Sequence, residues 1–104
     1  MTIQINTDKN IEGSERFSEY FTSIIEGELS RFDDKITRIE VHLSDENGSK
    51  EGQADKRCLL EARLDGRQPI AVSNTADTHE RAVDGAIDKL KASLETIVGR
   101  MKNY

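Results

Sequence analysis

The feature that most constrains this chain is a change in the period of its apolar residues. Up to Phe32 they recur at helical spacing, as Phe17, Phe21, Ile24, Ile25 and Phe32. From Ile36 the period becomes two. Ile39, Val41 and Leu43 then share one face, and Arg38, Glu40 and His42 share the other. A second alternating run turns Cys58, Leu60, Ala62 and Leu64 inward and Arg57, Glu61 and Arg63 outward. After Asp77 the helical period returns, and Val83, Ala86, Ile87, Leu90, Leu94, Ile97 and Met101 form one continuous stripe. Strands with a single apolar face need a cover, and helices with a single apolar stripe supply one.

The remaining segments fit that plan. Thr2 to Asn6 alternates as a short half-buried strand does, and Thr7 to Gly13 reads as a polar loop. Ser14 can cap the first helix, with Glu15 favourably placed in its first turn. Asp33-Asp34 breaks the helical pattern. Ser44 to Asp55 is polar, carries Gly48 and Gly52, and reads as a long hairpin loop. Asp65-Gly66 is a tight-turn signal, Ile70 and Val72 mark a fourth strand, and Pro69 at its start suits a sheet edge. Asp77 and Glu80 have capping-box spacing, with Asp in place of Ser or Thr. The expected fold is therefore α+β in the order β-α-β-β-β-α, with two helices on one face of a four-stranded mixed sheet. The β-α-β start requires a crossover, so the first two strands should be parallel. All 104 residues fit one domain.

Composition narrows the function. No apolar run approaches the ~20 residues needed to span a bilayer, and the start lacks a signal-peptide pattern, so the expected location is cytoplasmic. A single cysteine, Cys58, allows no internal disulfide, and its inward strand position marks a buried thiol. Asn47-Gly48-Ser49 matches a glycosylation acceptor but, without a secretion signal, reads as a turn. His42 and His79 read as ordinary surface histidines, and no Cys or His pair has metal-ligand spacing. Carboxylate pairs such as Asp84 and Asp88 read as solvated surface acids, and the seven glycines form no phosphate loop. No catalytic residue, metal or cofactor is expected. The net charge of −5 counts against nucleic-acid binding in bulk and makes the placement of the 15 Lys and Arg decisive.

That placement is uneven. Helical spacing puts Lys89 and Arg100 on one flank of the last helix with Ser93 and Thr96, without an acid. The opposite flank mixes Lys91 and Lys102 with Asp84, Asp88 and Glu95, which predicts local ion pairs. In the first helix Arg16 and Arg31 share a flank with Tyr20, Ser23 and Gly27. Lys89, Arg100, Arg16 and Arg31 are thus the candidate phosphate contacts, beside the plainer account of a solvated helix edge. Arg38, Arg57 and Arg63 on the open sheet face are secondary candidates. Glu40 and Glu61 beside them favour cross-strand ion pairs there.

Several stretches resemble the hibernation promoting factor and ribosome-associated inhibitor A family, also called the sigma-54 modulation proteins. They are Ile3-Gln-Ile-Asn, Ile11-Glu12 leading to Arg16-Phe17-Ser18-Glu19-Tyr20-Phe21, Arg31-Phe32-Asp33-Asp34-Lys35-Ile36 with Val41-His42-Leu43, and Ala82-Val83-Asp84-Gly85-Ala86-Ile87-Asp88-Lys89-Leu90. The resemblance runs through nearly the whole chain, in order. It implies binding to the small ribosomal subunit and its 16S-type rRNA, in the channel of messenger and transfer RNA, and silencing of translation under stress. It implies RNA contacts for Lys89, Arg16 and Arg100, which match basic positions of the family. After Leu90 this chain is less basic than the family, which implies a shallower salt dependence. The other reading is a diverged interaction module that dimerises through the open sheet face near outward Leu59. The expected state is mainly monomeric, with weak self-association.

Overall fold

The computed structural model describes residues 1–8, 15–45 and 55–102, with 100–102 as helical backbone alone. Strand β1 spans Thr2–Thr7, α1 Glu15–Glu28, β2 Ile36–Asp45, β3 Lys56–Leu64, β4 Ile70–Ala76 and α2 His79–Lys102. The sheet order is β1-β2-β3-β4, with β1 parallel to β2 and the other pairs antiparallel. This is the α+β architecture that the apolar periods predict. The hairpin loop expected from Ser44 to Asp55 starts later, because β2 runs on through Ser44 and Asp45; its residues 46–54, with the Asn47-Gly48-Ser49 turn, and the Ser14 cap lie outside the described residues.

The expected helical stripe through Phe32 ends early. Leu29 N–H still donates to the Ile25 carbonyl at 3.0 Å, but Phe32 N–H reaches Leu29, three residues back, at 2.9 Å. This 3-10 turn over Ser30–Phe32 buries Phe32 without continuing the helix. A register shift between Ile36 and Arg38 then lets Ile36 and Ile39, an odd spacing apart, both face the core. One core results. Phe21 and Ile25 of α1 and Val83, Ile87, Leu90 and Leu94 of α2 meet Ile39, Val41, Leu43, Cys58 and Leu60 of the sheet.

The helices run side by side in the same direction. Phe17 stacks edge-on against His79, Glu28 pairs with Lys91, and Arg31 pairs with Glu95, so contacts advance together along both. The cap of α2 is Thr78 rather than Asp77. Arg81 N–H donates to Thr78 Oγ1 at 3.1 Å, while Asp77 accepts from the Arg81 guanidinium at 2.8 Å. Helix α2 also lies very close to β4. The Asn74 carboxamide donates to the carbonyls of Arg81 and Ala82, and a Cβ on Gly85 would collide with it.

A buried charge group closes the end of the sheet where both helices begin. Asp45 continues the inward series of β2, and its N–H donates to Asp8 Oδ2 at 3.2 Å. Lys56 lies 2.8 Å from Asp55 and 3.5 Å from Asp45. The hydrogen bond between Lys56 and Asp55 holds the Asp55 carboxyl below its usual range and the Lys56 ammonium above its own. His79, expected at the surface, is half-buried because Phe17 covers the first turn of α2. Burial pushes its pKa down.

Two outcomes follow for stability. Gly85→Ala should destabilise by about 1–3 kcal/mol through overpacking, although the same change at exposed Gly27, which has open space around it, should stabilise by about 0.5–1 kcal/mol. Urea unfolding of both variants, and of Gly85→Ala with Asn74→Ala, checks this; the double variant should recover part of the loss. The second outcome concerns pH. The fold favours neutral His79, so the unfolded chain binds the proton more readily. Stability is then full above the ordinary histidine range and falls as pH drops through about 6.5. In His79→Phe the fall in urea midpoint between about pH 7.5 and about pH 5.5 should be smaller.

Candidate nucleic-acid interface

Small residues set the position of Lys89. Ala82, Gly85 and Ala86 let α2 approach the edge strand β4, and one turn further on Lys89 extends along that edge. Its ammonium donates to the Ser73 carbonyl at 2.7 Å. Lys89 is exposed, and among the described residues no carboxylate pairs with it. A carboxylate at this position would face the Ser73 carbonyl.

The other flank of α2 is neutralised, though by different partners than helical spacing predicts. Lys91 reaches across to Glu28 of α1 at 2.8 Å instead of pairing with Asp84, Asp88 or Glu95 on its own helix. Glu95 is taken by Arg31, whose guanidinium also lies over the Phe32 ring at 4.6 Å. Arg31 therefore does not share a flank with Arg16, because the 3-10 turn swings it toward α2. Arg16 is exposed in the first turn of α1, and among the described residues it has no ion pair. A cation there opposes the helix macrodipole, at a typical cost of about 0.3–1 kcal/mol. The side chain of Arg100 lies outside the described residues. Lys89 on the β4 side and Arg31 on the α1 side are separated by the body of α2, so these two do not converge on one spot.

The open sheet face corrects another expectation. The register sets Arg38 opposite Arg63 and Glu40 opposite Glu61, like against like, so ion pairing runs along the strand instead of across it. Arg38 Nε lies 3.2 Å from Glu40 Oε1, and its Nη2 bonds Gln4. Arg57 and Arg63 are exposed and without ion pairs among the described residues. Spacing could not reveal the Arg31–Glu95 and Lys89–Ser73 contacts, because each joins positions distant in sequence. Asp45 is missed when it is placed in the loop, although continuing the period of two from Leu43 sets it inward, where an acid signals a buried charge group.

For catalysis the described residues offer little. A cavity of about 140 Å³ between the later turns of α2 and the β3–β4 turn is lined by Leu94, Ile97, Val98 and Leu64 with Asp34, Lys35, Asp65 and Arg67. Both acids at its rim are exposed. Cys58 is fully buried, and burial pushes its thiol up to about 12, far from a reactive thiolate. Among the described residues no helix is long and apolar enough to cross a membrane.

The fold is similar to that of the Thermus thermophilus Protein Y N-terminal domain, with a TM-score of 0.74 and 21% identity over 93% of this chain and 99% of that one. It is also similar to a ribosomal subunit interface protein from Coxiella burnetii, with a TM-score of 0.69 and 22% identity over 95% of this chain and 99% of that one. No curated protein sequence matches the chain. A family model matches residues 3–102, from β1 to the end of α2, and the chain belongs to the sigma 54 modulation protein / S30EA ribosomal protein family.

Proposed function

We propose that the chain is a ribosome-associated translational modulator that docks on the small ribosomal subunit, in the channel of messenger and transfer RNA, and silences translation under stress. The observation that carries this reading is the extent of the family match. It takes in both helices and all four strands, not one local motif. The Coxiella protein of the same fold is described as a ribosomal subunit interface protein.

Within this reading Lys89 and Arg16 are the leading phosphate contacts, since both are exposed and neither has a carboxylate partner among the described residues. Arg100 joins them by sequence position. Arg31 ranks lower, because Glu95 already offsets its charge. On the sheet, Arg57 and Arg63 rank above Arg38, which Glu40 and Gln4 hold. A net charge of −5 is compatible with this, because phosphate contacts depend on local cations. Few contacts imply a shallow salt dependence, at a slope of roughly 0.9 in log K per phosphate on duplex DNA and roughly 0.7 on single strands. The alternative reading, pairing through the open sheet face, rests on half-buried Leu59, which lies opposite His42 and Ser73 there.

Stationary-phase lysate sedimented through a sucrose gradient should place the protein with small subunits at low salt and release it as salt rises. Lys89→Glu with Arg16→Glu should weaken binding to purified subunits at least ~tenfold, by the loss and reversal of two phosphate contacts. Lys91→Glu should change it little. Equal effects would remove Lys89 and Arg16 as the contacts. No binding at low salt, together with a stable dimer by light scattering at micromolar concentration, would favour the pairing reading.

A further inference from the structure

The ribosome reading leaves unused three side chains in the middle of the open sheet face. Glu40 on β2 stands directly opposite Glu61 on β3, and His42 follows Glu40 two residues along the same face. Like charges directly opposite across a strand pair repel. Here an imidazole lies beside both. His42 Nε2 is 3.7 Å from Glu61 Oε1 and 4.0 Å from Glu40 Oε2, too far for a hydrogen bond to either. One ligand atom from each of the three residues lies within 4.8 Å of the other two. Arg38 binds the other Glu40 oxygen, Oε1, and is itself tied to Gln4. It thereby fixes the Glu40 carboxylate with Oε2 turned toward His42, the orienting role that outer groups play for metal ligands.

We propose that Glu40 Oε2, His42 Nε2 and Glu61 Oε1 form a binding site for a divalent transition-metal ion, with zinc as the best fit. One imidazole nitrogen and two carboxylate oxygens are a borderline donor set that suits zinc. Magnesium and calcium prefer oxygen alone. Tetrahedral zinc with bonds of about 2.0–2.2 Å needs donors roughly 3.4 Å apart. The gaps around His42 Nε2, 3.7 and 4.0 Å, therefore close by about half an ångström, and the gap between the two carboxylates, within 4.8 Å, by up to about 1.4 Å, movements that the partly exposed His42 and Glu61 side chains can make. All three side chains are partly exposed, at 23% for Glu40, 39% for Glu61 and 41% for His42, so water can complete the coordination. The ion would also offset the Glu40–Glu61 repulsion. The imidazole nitrogen separates this set from the surface acids elsewhere on the chain. Cys58 faces the core on the other side of the sheet and His79 lies at its end, so neither can contribute.

The test uses untagged, metal-stripped protein, with zinc sulfate and magnesium chloride as probes. Calorimetry should show one zinc per chain, and NMR should show the His42 ring signals moving with zinc and not with magnesium. His42→Ala and Glu61→Gln should each weaken zinc binding at least ~tenfold, the loss expected when a metal-site group is removed. His79→Phe should leave it unchanged. Zinc binding that survives His42→Ala, or His42 signals that ignore zinc, would overturn the site. Ribosome binding is measured separately, and neither result depends on the other.

Discussion

The inward residues of β2 and β3 stay dry only because two helices lie side by side across them. Ile39, Val41, Leu43 and Leu60 are buried to within 2% of completeness, as are Ile25 and Leu29 beneath α1 and Leu90 and Leu94 beneath α2. Each such side chain contributes about 1.5–3 kcal/mol by leaving water. The sheet has one face to spend this on, so the order of elements, the crossover between β1 and β2 and the length of α2 all follow from covering it. Gly85 belongs to the same constraint. Without a side chain there, α2 settles against β4, and Asn74 can bond the first turn of the helix from below.

Charges are arranged around that core with a consistent logic. Where the two helices meet, Lys91–Glu28 and Arg31–Glu95 join them across their exposed seam. Exposed pairs of this kind contribute about 0–1 kcal/mol each, so they align the helices more than they hold them. At the sheet end, Lys56 sits between Asp45 and Asp55, where a buried acid without a cation would be costly. On the open face the register sets Arg against Arg and Glu against Glu, and compensation comes from the next rung along the strand.

Much of this was legible in the sequence. The strands announce themselves because period two can be satisfied in only one way once a face is buried, and α2 does so through its uninterrupted stripe. The exit from α1 was less legible, because Phe32 keeps helical spacing while the backbone has already tightened to a 3-10 turn. The cap was misplaced by one residue, since Asp77 and Thr78 are both good caps and only geometry shows Arg81 using its backbone on one and its side chain on the other. The candidate interface was legible residue by residue and not as a surface. Helical spacing found Lys89 and its acid-free flank. The opposing element that claims each charge, Glu95 for Arg31 or Ser73 for Lys89, is fixed by the fold and leaves no local mark.

The contact between Lys89 and Ser73 gives one side chain two roles that compete. While the ammonium rests on the Ser73 carbonyl, it shields part of the outer edge of β4, the kind of edge on which a neighbouring chain can add a strand. A phosphate group that draws Lys89 away leaves that carbonyl to water or to another strand. Covering this stretch of the edge and reaching out to an anion are therefore uses of the same amine that exclude one another.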